Sequence, residues 1–147
     1  MRMFLYLSCV YLCAAIVTLP MAGCGSSSTV EKVPVVPVTG KVVFQGQPTP
    51  GALVVYHPVQ AGALSLPPAQ ATVRDDGTYT LTTYTANDGA ALGEYKVTVE
   101  WRKLVNEDGD VKPGPNLLPD RVSQVKSTDL SVRVAEGTAQ VHALEIK

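Results

Sequence analysis

From Val38 onward, apolar and polar residues alternate with a period of two. In VTGKVVF, Val38, Val42 and Phe44 share one face with Gly40 between them, while Thr39, Lys41 and Gln45 face the other way. Such alternation predicts a strand with one buried face. Gln45-Gly46-Gln47-Pro48 interrupts the run, and GALVVYHP resumes it with Ala52, Val54 and Tyr56 inward. After a Pro/Gly/Ala loop comes ATVRDDGTYTLTTY, in which Asp75-Asp76-Gly77 is a hairpin signal, because Asp and Gly accept the positive φ of a tight turn. Val73 enters that turn, and Tyr79 and Leu81 leave it on one face. The most regular stretch is GEYKVTVEW, where Tyr95, Val97, Val99 and Trp101 alternate with Glu94, Lys96, Thr98 and Glu100. DLSVRVAEG then supplies Leu130, Val132 and Val134, Glu136-Gly137 turns the chain, and the last run places Leu144 and Ile146 inward.

About seven short strands at this spacing predict an all-β fold, a seven-stranded antiparallel two-sheet sandwich. No helical stripe follows Cys24, and no internal repeat is present. The stretch from Arg102 to Asp120, with KPGPNLLP at its centre, reads as a long loop. Loops of that length bind partners or move freely. Its Leu104, Leu117 and Leu118 are expected to cover a sheet edge, with contact to a partner as the alternative.

The start of the chain has a different pattern. Met1-Arg2 gives a short positive end, and the residues up to Leu19 carry no charge. The run is long enough for a marginal membrane span. Its ending, LPMAGC followed by GSSST, instead has the small residues of a signal-peptide cut site and no basic stop-transfer cluster. Met21-Ala22-Gly23-Cys24 resembles the bacterial lipobox, with Met21 in the place usually held by Leu. The resemblance implies cleavage between Gly23 and Cys24 and acylation of the Cys24 thiol. An ordinary signal peptide with an incidental cysteine is the competing reading. Residues 1–23 are thus expected to be a lipoprotein signal peptide, 24–37 a lipidated N-terminus and flexible linker rich in Ser and Pro, and 38–147 the sandwich.

Composition narrows the function. Lys+Arg is 12 against 13 for Asp+Glu, and loss of Arg2 with the leader would deepen the deficit. Without a basic surplus, nucleic-acid binding has no electrostatic footing. Cys9 and Cys13 lie in the leader and none follows Cys24, so zinc ribbons, thiol nucleophiles and CxxC redox pairs are excluded from the sandwich.

Candidate chemistry is sparse. His57 precedes Pro58 at a strand end and His142 shares the alternation of Leu144 and Ile146; neither has a second ligand at metal spacing. Asn106-Glu107-Asp108-Gly109-Asp110 lacks the alternate acidic ligands and distal Glu of a calcium loop and reads as a solvated turn. Asp75, Asp76 and Asn87-Asp88-Gly89 are also read as turns, although loops at one end of a sandwich can converge on an ion. No GxSxG elbow or phosphate-cradling glycine loop occurs. Tyr79, Tyr95 and Trp101 fall on core faces, leaving Tyr84 as the aromatic to watch for exposure.

The order TGKVVFQGQPTPGALVVYHP, RDDGTYTLTTY, DGAALGEYKVTVEW and LSVRVAEG resembles the carboxypeptidase-regulatory-like, transthyretin-like sandwiches of small bacterial envelope lipoproteins. Gly40-Lys41-Val42, Asp76-Gly77-x-Tyr79 and Gly93-Glu94-Tyr95-x-Val97 carry the likeness, which covers most of residues 38–147. It implies a fold and an extracytoplasmic setting and brings no catalytic residue. The hydrolytic branch of the transthyretin fold ends in Tyr-Arg-Gly-Ser, whereas this chain ends in Leu-Glu-Ile-Lys.

Together these readings predict a non-enzymatic binding or structural module, tethered by lipid on Cys24 to the envelope, with the outer membrane favoured by Gly25 after the cysteine. Its partners would be the membrane and an envelope protein or polysaccharide; no cofactor or metal is expected. The alternatives are a carbohydrate-handling or hydrolytic accessory, and a subunit of a surface assembly joined through strand edges.

Overall fold

Side chains that alternate in sequence are sorted by the fold into an interior and two outer faces. The computed structural model describes residues 32–59, 66–137 and 140–147. In chain order its strands are β1 (Val35–Val36), β2 (Val38–Phe44), β3 (Gln47–Pro48), β4 (Leu53–Pro58), β5 (Ala69–Thr72), β6 (Thr78–Thr80), β7 (Ala90–Ala91), β8 (Gly93–Glu100), β9 (Arg102–Glu107) and β10 (Asp110–Asn116). A single helical turn, α1 (Asp120–Ser123), precedes β11 (Ser131–Val134) and β12 (Gln140–Ile146). The leader, including Gly23 and Cys24, lies outside the described residues.

One sheet has β2 at its centre, with β12 along one edge and β6 and β3 along the other; the second runs β11-β8-β4-β5. This is the expected all-β sandwich. Its interior holds Val38, Val42, Val54, Tyr56, Tyr79, Leu81, Tyr95, Val97, Val99, Leu144 and Ile146, each at most 4% exposed. Burying one such side chain contributes roughly 1.5–3 kcal/mol. Tyr95 adds a polar tie, its hydroxyl donating to the Ala91 carbonyl at 2.8 Å. Thr128, also buried, donates to the Val97 carbonyl at 2.6 Å just before β11 begins.

Four details differ from the expectation. First, β12 pairs with β2 in parallel, from Gln140↔Val38 to Ile146↔Phe44, so the sandwich is not wholly antiparallel. Alternation reports which face is buried and is blind to strand direction. Second, Asp75-Asp76-Gly77 does turn the chain, with Gly77 at φ 84° and Arg74 N–H donating to the Thr78 carbonyl at 2.7 Å. The strands it joins nevertheless enter different sheets, and a Gln70↔Thr82 bridge stitches the sheets together beyond it.

Third, regular structure begins before Val38. Val35 and Val36, assigned to the linker, pair with Ala91 and Ala90. A two-residue strand falls below the length at which alternation is visible.

Fourth, the stretch 102–120 is not a loop. β9 and β10 form a hairpin closed by Glu107↔Asp110, with Asp108 at φ 55° and Gly109 at φ 88° in the turn. Positive φ at both positions is the geometry of the tight hairpin turn that Asp-Gly favours. Prolines 113 and 115 and the exposure of every β9 residue disguise the strands. Of the three leucines expected to cover a sheet edge, only Leu118 is buried in the core cluster, together with Val122 of α1; Leu104 and Leu117 are exposed.

Candidate functional site

Three features bear on function: a polar pin between the sheets, an open charged groove, and the exposed hairpin.

The pin is built from β4, β6 and β12. Tyr56 and Tyr79 point inward from opposite sheets, and their hydroxyls meet at 2.8 Å. The Tyr56 hydroxyl also lies 3.0 Å from Nδ1 of His142, whose ring stacks on that of Tyr56 at 6.0 Å and 17°. The Tyr79 hydroxyl also reaches the His142 carbonyl oxygen at 3.5 Å, so the three groups close a small ring of donors and acceptors. With the His142 hydrogen on Nε2, Tyr56 donates to Nδ1 and Tyr79 donates to Tyr56 or to the His142 carbonyl. With it on Nδ1, the imidazole donates to Tyr56, Tyr56 to Tyr79 and Tyr79 to that carbonyl. Burial pushes both phenols up, Tyr56 far beyond its usual range, with the neighbouring Tyr79 adding to the effect, and Tyr79 to about 12. Burial also lowers the pKa of His142, against an opposing hydrogen bond to the Arg133 backbone. Neutral groups are thus favoured throughout. Gly40 makes room for the assembly: a Cβ there would overlap the His142 carbonyl oxygen and the Tyr79 ring. Fully buried tyrosines held protonated under a glycine form an internal brace between the sheets.

His57 is occupied elsewhere. Its Nε2 lies 2.9 Å from Oγ1 of Thr98, and burial lowers its pKa. The two histidines are therefore not brought together. Among the described residues no cluster of three or more His, Cys, Asp or Glu side chains is placed to hold a metal ion.

The acidic turns are tied to their own backbone. The Asp88 carboxylate accepts N–H bonds from Thr83, Tyr84 and Thr85 at 2.7, 2.9 and 2.9 Å. Burial pushes its pKa up, but these bonds outweigh that effect and hold it below the ordinary value. Asp76 accepts from the Thr78 hydroxyl and N–H at 2.6 and 2.9 Å, and those bonds lower its pKa. In the Asn106–Asp110 stretch, Asn106 Oδ1 accepts from the Gly109 N–H at 3.1 Å, a hairpin tip exposed throughout.

Aromatic surface is scarce. Tyr56, Tyr79 and Tyr95 are buried. Trp101, expected inward, is half-buried; its Nε1 donates to the Pro50 carbonyl at 2.9 Å, and Lys103 Nζ sits 5.7 Å from the ring. Tyr84 is half-buried, with Lys32 Nζ 5.4 Å from its ring and its hydroxyl accepting from the Val33 N–H.

The groove follows the β8–β11 pair. One part, about 370 Å³, is lined by Val59, Lys96, Ser131 and Arg133; an adjoining part, about 550 Å³, by Leu92, Glu94, Arg133 and Glu136. Glu94 and Arg133 are register partners common to both. Both parts are open; Glu94, Arg133 and Glu136 are exposed, while Lys96 is half-buried and donates to the Thr128 carbonyl at 3.4 Å. No local sequence signal marks the Glu94–Arg133 pair, because cross-strand neighbours lie far apart in the chain.

The hairpin exposes several apolar side chains. Leu104 is 71% and Val111 65% exposed, and Val105 is exposed as well. Cross-strand partners share a face, so Leu104, Pro113, Val111 and Asn106 lie on one side and Lys103, Val105, Glu107 and Lys112 on the other. Asn116 anchors the base, its Oδ1 accepting from the N–H groups of Trp101 at 2.9 Å and Leu118 at 3.3 Å.

No family model matches the chain, and no curated protein matches it. Two solved structures are similar. A candidate carbohydrate-binding protein from Pseudomonas aeruginosa is 14% identical over 78% of this chain and 90% of its own, with a TM-score of 0.45. A DUF3823 family protein from Parabacteroides merdae is 20% identical over 78% of this chain, with a TM-score of 0.41. This chain spans about half the length of the second, 47%. The sandwich rests on the strand pairing described above rather than on either likeness.

Proposed function

We propose that the chain is a lipid-anchored envelope protein whose sandwich is a non-catalytic binding module, engaging another envelope protein through the β9–β10 hairpin. One observation carries the reading. A two-stranded hairpin stands clear of both sheets with Leu104 and Val111 on one exposed face. Isolated hairpins are marginally stable in water, and exposed apolar strands invite pairing. A chain that keeps such an element gains from it only when a partner covers it. The anchor is supported by Met21-Ala22-Gly23-Cys24 and by the lack of any cysteine after it. The carboxypeptidase-regulatory-like family is the kind of small lipoprotein to which this reading assigns the chain.

Polysaccharide is the second partner class. Sugars are gripped by open aromatic faces and convergent polar groups, whereas the hairpin is aliphatic and the described aromatic rings are buried, half-buried against the core (Phe44) or overlain by lysines (Tyr84, Trp101). Protein is therefore favoured. A photo-crosslinking amino acid at Val111 of the full-length chain in cells tests this, with Val141, 76% exposed on β12, as the control position. Protein adducts from Val111 and not from Val141 are the expected result. Equal labelling at both positions, or glycan adducts only, overturns it.

A further inference from the structure

The hairpin has two outer edges, and they are not equivalent. In a hairpin with a two-residue turn, the residues flanking the turn exchange both backbone hydrogen bonds. Glu107 and Asp110 are that pair. Val105 and Lys103 therefore also bond towards β10, and the N–H and C=O groups of Arg102, Leu104 and Asn106 point away from it. On β10 the outward positions begin with Val111 and Pro113, and a bulge follows between Pro113 and Asn116. Proline has no N–H to give, so that edge is blunted. The β9 edge contains no proline, and among the described residues it pairs with no strand other than β10.

We infer that two copies of this chain pair through their β9 edges, joining the hairpins into one four-stranded antiparallel sheet. The inference rests on the hairpin being the binding element and goes beyond that reading: a second copy takes the β9 edge and leaves the face of Leu104 and Val111 to the envelope partner. Two identical antiparallel strands related by a twofold axis must match residues on the same face, so the register centres on a residue and not between two. Centring on Leu104 sets Lys103 against Val105, and centring on Asn106 sets Leu104 against Asp108. Centring on Val105 sets Lys103 of each copy opposite Glu107 of the other and brings Arg102 towards Asp108. It also places Leu104 opposite Asn106, both with outward-pointing backbone groups, as a hydrogen-bonded pair requires. The charge order along β9, basic at the root and acidic at the tip, thus complements itself in that register. Glu107 has only a loose exposed contact of its own, 3.7 Å to Lys112, so it is available.

The register is tested with the full-length chain in detergent micelles. Val105→Cys faces its own copy across a non-hydrogen-bonded pair, about 4.5 Å between Cα atoms, which is within disulfide reach. Mild oxidation should yield a reducible dimer from Val105→Cys well above the parent chain, whose own cysteines set the baseline, and above Val111→Cys. In sedimentation, Lys103→Glu and Glu107→Lys should each weaken the dimer by roughly ten-fold, and the two together should restore it. A parent chain that is monomeric throughout, equal cross-linking from Val111→Cys, or a double variant no tighter than the singles overturns the inference. A monomeric chain that still yields heterologous protein adducts from Val111 removes the dimer and leaves the binding reading standing. Absence of both removes both.

Discussion

Tyr56 on β4 and His142 on β12 meet across the sandwich, phenol oxygen to Nδ1 at 3.0 Å, and Tyr79 completes the chain at 2.8 Å. The three side chains sit where β12 lies parallel to β2, with Gly40 beneath them opposite His142 in the register. Close apolar packing already resists slips between the sheets, and a hydrogen-bonded chain of this kind adds directional constraints to it. The network therefore holds the edge strand β12 in place.

Tyr56 occupies the middle of that chain: removing its hydroxyl takes both short bonds, while removing that of Tyr79 takes one short bond and a 3.5 Å bond to the His142 carbonyl. A buried group left unsatisfied costs about 1–3 kcal/mol. Tyr56→Phe should therefore lower unfolding stability by about 2 kcal/mol, and Tyr79→Phe by less. Urea denaturation of the two variants checks the order; equal or negligible losses would remove the brace.

The same geometry sets a pH response. Burial keeps the folded-state pKa values of His57 and His142 below the ordinary 6.5. In the interval between the folded value and 6.5 the unfolded chain binds more protons, so stability rises with pH there. It should be full above about pH 7 and decline as the solution is acidified through 6.5 towards the folded values. His142→Phe should flatten part of that slope and leave the His57 part. The urea midpoint measured between pH 5 and 8 gives the answer, and a midpoint that rises on acidification contradicts it. A further decline is expected at lower pH, where Asp76 and Asp88, both held below the ordinary carboxylate value, take up protons.

How far these features were legible from sequence differs from strand to strand. Tyr95, Val97 and Val99 alternate without interruption, and their burial follows directly. The parallel pairing of β12 with β2 was not legible, since direction depends on how the chain crosses the fold. The hairpin was hidden for another reason: both its faces are solvated, so neither selects an alternating pattern, and prolines argue against strands. Asp108-Gly109 is the one local signal of a turn, set in a segment whose length and prolines suggest a loop. His142 was read as a lone histidine on a strand; its partners are 86 and 63 residues away, beyond any local motif.

Gly40 looks from sequence like a gap in the inward face of β2. In the fold it is the space into which Tyr79 and the His142 carbonyl fit. Gly40→Ala removes no contact, yet it must push β12 or the Tyr79 ring aside. Overpacking of this kind costs about 1–3 kcal/mol. Pairing the change with Tyr79→Leu, which removes the ring, should recover part of the loss. Thermal denaturation of the single and double variants measures the coupling, and strict additivity would show that the ring is not what Gly40 accommodates.

The anchor makes the last prediction, and Cys24 separates it from ordinary export. An acyl chain contributes about 0.8 kcal/mol per buried methylene, and two or three chains together hold a protein at the bilayer. If the Cys24 thiol receives lipid before cleavage, the parent chain should incorporate labelled palmitate, and its mature N-terminus should be a modified Cys24. Cys24→Ala should then incorporate none and keep residues 1–23, because the cut depends on the lipidated cysteine. An ordinary signal peptide behaves oppositely: the cut is indifferent to the thiol, and neither chain takes up label. Fractionation alone does not discriminate, since an uncleaved apolar leader also binds membranes. Label uptake and the mass of the N-terminal peptide do, and an unmodified, correctly cut Cys24→Ala chain would end the lipoprotein reading.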